Sequence, residues 1–381
     1  MEEKNRFENK YIYSFDSLKG IIIIVAVVIG HYWQFTPGEY WSAGNNAFLT
    51  GITNTANQLS FKTYSLMELL LMIGGFQMWR QRRKIASGQI RFLTYLRKRA
   101  VRLLPMSIIT TIVMAVGLVV YQSITGEVWH DMVVNVRNLL ENFLGIQIWF
   151  RPDHTLNGPL WYVSVYFACT ILFYLLIRLA GLLFGGHKIG YCFMMLIPIL
   201  FGIYGSKNYL VKPLWNPDLC RGYMGFFAGV LVAALAEFLM NYQSKLLHRI
   251  LWMFCLLLMI VYIIIDVKFE NVGISGSSPF SVMVTESLFY APVLLLLSYY
   301  ETPDKIIGNK VLAYFGKASF HVYVWNFPFC LWVTILDKVL HLGIPFPMWY
   351  MLWVQTAIQI GIGIVSYYCE KSLLYKFNGM K

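Results

Sequence analysis

Long apolar runs alternate along the chain with short polar interruptions. Ten of these runs approach the roughly 20 residues that cross a bilayer as a helix. They fall at 16–35, 62–79, 103–121, 159–178, 189–205, 219–240, 250–266, 283–300, 313–336 and 348–369. The pattern predicts an all-α integral membrane protein of about ten transmembrane helices. The first run is the most telling. Asp16-Ser17-Leu18-Lys19-Gly20 leads into an apolar stretch from Ile21 to Gly30, and His31, Tyr32, Trp33 and Gln34 follow it. Ionisable groups inside a membrane are costly and are functional candidates by default, so His31 heads the candidates.

Composition sharpens this picture. The 381 residues are 58% hydrophobic and 13% charged, too apolar for a soluble domain. The first run is long and no small-residue cleavage site follows it, so it reads as a retained helix and not as a signal peptide. The net charge of +12 raises the question of nucleic acid, but the distribution answers it. With the N-terminus in the cytosol, 23 of the 31 Lys and Arg residues fall on the inner side, nine of them between Arg80 and Arg102. The positive-inside rule then sets both termini in the cytosol. The basic balance faces anionic lipid and cytosolic anions, with no nucleic acid partner. The six cysteines form no CxxC pair and read as packing residues, with no disulfide framework and no metal site. A single polytopic domain over 1–381, without repeat or fused soluble domain, is expected. The outer segments around 36–61 and 122–157 carry Trp33, Tyr40, Trp41, Asn45, Asn46, Asn54, Trp129 and Trp149. Their aromatics are interfacial anchors or platforms for sugar rings.

Several polar residues could carry chemistry. A rise of 1.5 Å per residue puts His31 roughly 18 Å beyond Lys19, past the midplane of a core about 30 Å thick. A histidine there acts as a general base or lies at the interface beside Tyr32 and Trp33. Arg99 and Arg102, three apart, share a helix face and either clamp phosphate or supply positive-inside charge. Glu68 lies within an apolar helix and should pair with a cation, while Gly74 and Gly75 permit close helix approach. Pro159 suits a first helical turn, and Trp161, Tyr162 and Tyr166 beyond it form a substrate wall or an aromatic belt. Arg221, His321 and Asn326 are further polar groups in apolar helices, as satisfied contacts or as site residues.

The order of these signals along the chain resembles the acyltransferase family three membrane proteins. The family's Asp-Gly-Leu-Arg-Gly start and helix-ending His are similar to Asp16-Ser17-Leu18-Lys19-Gly20 and His31. Its Phe-Phe-x-x-Ser-Gly-Phe segment matches 70–76, its Arg-x-x-Arg with a following proline matches Arg99, Arg102 and Pro105, and its Pro-Leu-Trp-Ser-Leu-Ser segment matches 159–164. The late Gly-x-x-Ser-Tyr-x-x-Tyr-x-Trp-His-x-Pro segment matches Gly316, Ser319, Phe320, Tyr323, Trp325, Asn326 and Pro328, and 367–371 looks like the closing segment. Nearly the whole chain is covered, and ten helices is the family's number. Four departures stand out. The family arginine is Lys19, its glutamate after the Trp-Ser-Leu-Ser segment is Tyr166, and its late His is Asn326. Lys19 and His31 are also separated by eleven residues where the family has ten. One extra residue turns a regular helix by about 100°, which a π-bulge would absorb.

The resemblance implies transfer of an acyl group, acetyl by expectation, from cytosolic acyl-CoA across a cell membrane. The acceptor would be a hydroxyl of an extracellular or lipid-linked saccharide or of a cell-envelope polymer. It implies His31, Lys19 and Glu68 as catalytic residues. Arg99, Arg102 and Lys19 would hold the acyl-CoA, and Trp161, Tyr166, Arg221 and Asn326 the substrate. The competing classes are a secondary transporter, which would use midplane polar groups at broken helices, and a membrane scaffold that needs no His31.

Overall fold

The computed structural model describes residues 12–32, 35, 66–151, 155–242, 244–268 and 279–379. Trp33, Tyr40, Trp41, Asn45, Asn46 and Asn54, singled out above, lie outside the described residues. Within them the chain is helical, and the one β-type pairing is an isolated bridge between Lys212 and Trp215. Helix α1 runs Tyr13–Ile22 and continues as a π-helix over Ile23–Ile29. It is followed by α2 (Leu66–Trp79), the short α3 (Arg82–Ala86), α4 (Phe92–Thr125) and the outer α5 (Val136–Leu144). Then come α6 (Trp161–Leu183), α7 (Lys188–Lys207), α8 (Pro217–Met240) and α9 (Lys245–Lys268). The chain closes with α10 (Pro279–Thr285), a π-turn at Glu286–Tyr290, α11 (Ala291–Tyr299), α12 (Glu301–Ile307), α13 (Lys310–Leu340) and α14 (Trp349–Gly379).

Among the described residues, eight helical segments are long and apolar enough to cross a membrane. Within the first two of the ten expected spans, the described helix covers 13–29, as α1 with its π-helix, and 66–79, as α2. The third span is longer than expected. Its helix begins at Phe92, because Leu93, Tyr95, Leu96, Arg97 and Lys98 continue the helix outside the apolar run, and hydropathy alone does not register such residues. Local chemistry sets several starts. The Asn216 side chain accepts from the Leu219 N–H at 3.1 Å, with Pro217 in the first turn, and Asn309 caps Val311 at 2.8 Å. Each cap satisfies a donor that the helix cannot.

Helix α2 is the most enclosed element; all of it except Leu66 and Gln77 is buried. Two glycines let it press on α8. A Cβ on Gly75 would lie 1.9 Å from the Phe226 carbonyl oxygen, and one on Gly229 would lie 2.0 Å from that of Met72. Membrane helices gain packing by such backbone approach, since lipid offers no hydrophobic drive. At the end of α2, Glu237 of α8 accepts from Trp79 Nε1 at 2.8 Å and from Arg82 Nη2 at 2.5 and 2.6 Å. Arg83 at 3.2 Å and Lys188 at 3.1 Å complete the cluster. Three of the residues that the charge pattern assigned to the inner face, Arg82, Arg83 and Lys188, are thus tied to one buried carboxylate. Helix α13 packs against α1, α4 and α14 and joins the two sides of the bundle.

Candidate functional site

Helix α1 carries its polar residues to two places. Near its start, Lys19 Nζ lies 3.1 Å from Asp16 Oδ1 and 3.4 Å from Gln77 Oε1 of α2. These groups line a cavity of about 510 Å³. Its cations are Lys19, Arg102 of α4 and Lys317 of α13, and its aromatic wall includes Tyr162, Tyr166 and Phe320. Arg102 and Lys317 are exposed, and neither has an ion-pair or hydrogen-bond partner among the described residues. His321 also faces the cavity. Its Nε2 lies 3.0 Å from Glu370 Oε2, and its Nδ1 lies 3.0 Å from Ser366 Oγ.

At the far end of the same helix stands His31. The cavity lining on α1 reaches Ile23, eight residues before it. The π-helix occupies the stretch between Lys19 and His31, with Gly30 N–H bonded to the Val25 carbonyl at 3.1 Å. The i→i+5 register takes up the additional residue that a regular helix would convert into rotation. His31 Nδ1 is 2.7 Å from Asn326 Oδ1 of α13, and its ring meets Phe327 edge-on at 5.1 Å. Nε2 makes no hydrogen bond among the described residues. The segment before α6 holds this arrangement in place. Asn157 Nδ2 donates to the Val324 carbonyl at 2.8 Å, and the Tyr323 hydroxyl donates to the Pro159 carbonyl. Gly158 lies so close to Phe327 that a Cβ there would fall 2.2 Å from the ring.

A third cluster sits between α2, α6 and α8. Arg221 Nε donates to Glu68 Oε1 at 2.5 Å, and the guanidinium lies 4.6 Å from the centre of the Trp161 ring. Asp218 is 4.0 Å away on the same helix. Glu286, on the π-turn, is buried beside them; its Oε1 would lie 3.0 Å from a Cβ on Gly225. Glu68 Oε2 and Glu286 Oε1 have no hydrogen-bond partner among the described residues.

The residues expected to act together therefore separate into three groups. Lys19, Arg102 and Tyr166 share the cavity. Arg99 does not join them: its Nη2 donates to Gln81 Oε1 at 3.1 Å and to Met78 Sδ at 3.2 Å, beside the Tyr95 ring. Glu68, Trp161 and Arg221 form the ion cluster, apart from the cavity lining. Asn326, expected against substrate, is fully buried with both ends of its amide engaged, by His31 and by Gln359 at 2.7 Å. Sequence reasoning passed over Lys317, Glu286 and Gln359. Glu286 carries the same signal as Glu68, a carboxylate inside an apolar run, and the same rule would have found it.

No metal-binding cluster of His, Cys, Asp and Glu occurs among the described residues. No curated protein matches the chain. The profile of acyltransferase family 3, described as an acyltransferase domain, matches residues 12–368. A match over nearly the whole length makes this chain a member of acyltransferase family 3.

Proposed function

We propose that the protein transfers an acyl group, acetyl in the first instance, from cytosolic acyl-CoA to a hydroxyl of an extracellular or lipid-linked saccharide, with His31 as general base. The observation that carries this reading is the pairing, on one helix, of a cation-lined cavity at one end with a histidine at the other whose Nε2 makes no hydrogen bond among the described residues. The distribution of Lys and Arg supports a cell-membrane protein with the cavity end facing the cytosol. Acyl-CoA fits that end: Arg102 and Lys317 are cations without partners among the described residues, suited to the nucleotide phosphates, and the thin pantetheine arm suits a passage past Lys19 and the tyrosines. His31 takes the proton of the acceptor hydroxyl, whose oxygen attacks the thioester carbonyl carbon. The carbon–sulfur bond breaks, and the proton passes from His31 to the departing thiolate.

Thiol release from acetyl-CoA by purified protein in nanodiscs, with and without a cell-envelope glycan extract, tests the reading. His31→Ala should fold normally and lose about 10²–10⁴-fold in glycan-dependent release. Full turnover in a folded His31→Ala protein removes the histidine from the mechanism. Accumulation of a solute in proteoliposomes without any thiol release replaces the enzyme with a transporter.

A further inference from the structure

We propose that a chain of three buried amides, Asn326, Gln359 and Gln355, fixes the tautomer of His31, placing the ring proton on Nδ1 and leaving Nε2 as the proton acceptor. The inference rests on the acyl-transfer reading only for its kinetic consequence. Asn326 belongs to α13, and Gln355 and Gln359 stand one turn apart on α14. All three are buried. Asn326 Nδ2 donates to Gln359 Oε1 at 2.7 Å, and Gln359 Nε2 donates to Gln355 Oε1.

The direction of the chain is set at its far end. Gln355 Nε2 faces the Val28 carbonyl at 3.4 Å and Thr356 Oγ1 at 3.5 Å. A backbone carbonyl only accepts. The Thr356 hydroxyl has spent its proton on the Leu352 carbonyl at 2.7 Å, so it also accepts. Gln355 must present its NH₂ there and its oxygen to Gln359. That orientation passes along the chain, one amide at a time, until Asn326 turns its oxygen to His31. An oxygen at 2.7 Å from Nδ1 requires Nδ1 to carry the proton. Reversing the chain would set the Gln355 oxygen against two acceptors in a buried site and leave them unsatisfied, the costly outcome for polar groups out of water. Val28 belongs to the π-helix, so the segment that adjusts the phase of α1 also supplies the acceptor that orients its histidine.

The chain is neutral throughout. Among the described residues the ring's contacts are Asn326 and Phe327. On the packed elements, Lys19 pairs with Asp16 and His321 with Glu370, Tyr32 donates to the Phe346 carbonyl and Tyr323 to that of Pro159, and Lys317 lines the separate cavity. Cys330 is buried on α13. Asn326, Gln359 and Gln355 are thus positioning residues, acting on substrate only through His31.

Nitrogen-15 spectra of histidine-labelled protein in nanodiscs, with His31 assigned by difference from His31→Gln, test the tautomer directly. Wild type should show a protonated Nδ1 and a bare Nε2. Asn326→Leu should give a mixture of tautomers and a kcat lower by about 10–10²-fold, part of a general base's contribution, with KM for acyl-CoA unchanged. Asn326→Asp keeps the acceptor oxygen and should keep the tautomer while moving the acid limb of the pH–rate profile upward, because a carboxylate favours imidazolium. Gln355→Leu removes the directing end without touching Asn326 and should loosen the tautomer preference too, which covers the case of an unfolded Asn326 variant. A wild-type proton on Nε2, or an unchanged tautomer in both leucine variants, overturns the proposal. A correct tautomer in a protein that releases no thiol from any acyl-CoA would instead overturn the acyl-transfer reading and support this one.

Discussion

Around His31 the hydrogen-bond partners are neutral amides and backbone carbonyls, whereas around Arg221 two buried carboxylates face one guanidinium. Both clusters lie in the same bundle, one carried by α2 and α8 and the other by α13 and α14 together with the end of the first helix. A carboxylate beside His31 would favour the imidazolium and raise the pH at which the ring becomes a base, and a guanidinium would oppose the imidazolium formed in turnover. Neutral amides do neither, so they suit a group that must gain and lose a proton. At Arg221 no such freedom is needed. There the charges clasp α2 to α8 against the Trp161 ring, at a site where an ion left alone is heavily penalised.

Removing one partner from the ionic side should break this contrast most severely. Arg221→Leu strands Glu68, which has no exposed surface, and should destabilise the protein by about 3–5 kcal/mol. Thermal unfolding in nanodiscs reads the loss, and adding Glu68→Leu should restore part of it. A melting curve like the wild type's would mean that the cluster does not hold the helices. Gly229→Val should cost about 1–3 kcal/mol by forcing α2 away from α8, again read by melting, and should disturb the ionic side more than the His31 spectra. At the cavity mouth, Arg102→Ala and Lys317→Ala should each raise KM for acyl-CoA by about 1.4- to fivefold, as expected for an exposed ion pair of about 0.2–1 kcal/mol, with kcat unchanged. A fall in kcat without a change in KM would take both residues out of donor binding.

The smallest effect concerns the outer loop. Burial opposes ionisation of Glu141, yet Arg151 at 2.6 Å and Arg137 at 2.9 Å hold its carboxyl below the usual range. A lowered folded-state value means that this clasp is at full strength above the ordinary carboxylate value of about 4.3. Its stabilisation fades as the pH falls through the lower folded value. A Glu141→Gln protein should therefore show a shallower acid-side slope in its melting temperature than the wild type.

Much of this was legible in the sequence wherever the signal was local. Apolar runs marked the long helices, Pro159 marked a first turn, Gly75 marked a close contact, and the count from Lys19 to His31 called for a π-bulge. Pairing across the bundle was not. Glu68 finds Arg221 153 residues away, and Arg82 finds Glu237 155 residues away. Hydropathy assigned Arg82 to the charged inner face, but a carboxylate and an indole bury it. Arg99 and Arg102 are helical neighbours, yet Gln81 and Met78 draw one aside while the other faces the cavity. Such choices depend on which helix stands opposite, and no periodicity within one segment records that.

The π-helix at Ile23–Ile29 gives α1 a property that a uniform helix lacks. In a regular helix, gaining or losing one residue re-aims every side chain beyond the change by about 100°. Here such a change can be absorbed by switching between two hydrogen-bond registers within a few turns, leaving the direction of the histidine intact. The first helix thus behaves as a slip joint, and length variation that would ruin a site elsewhere becomes tolerable between Lys19 and His31.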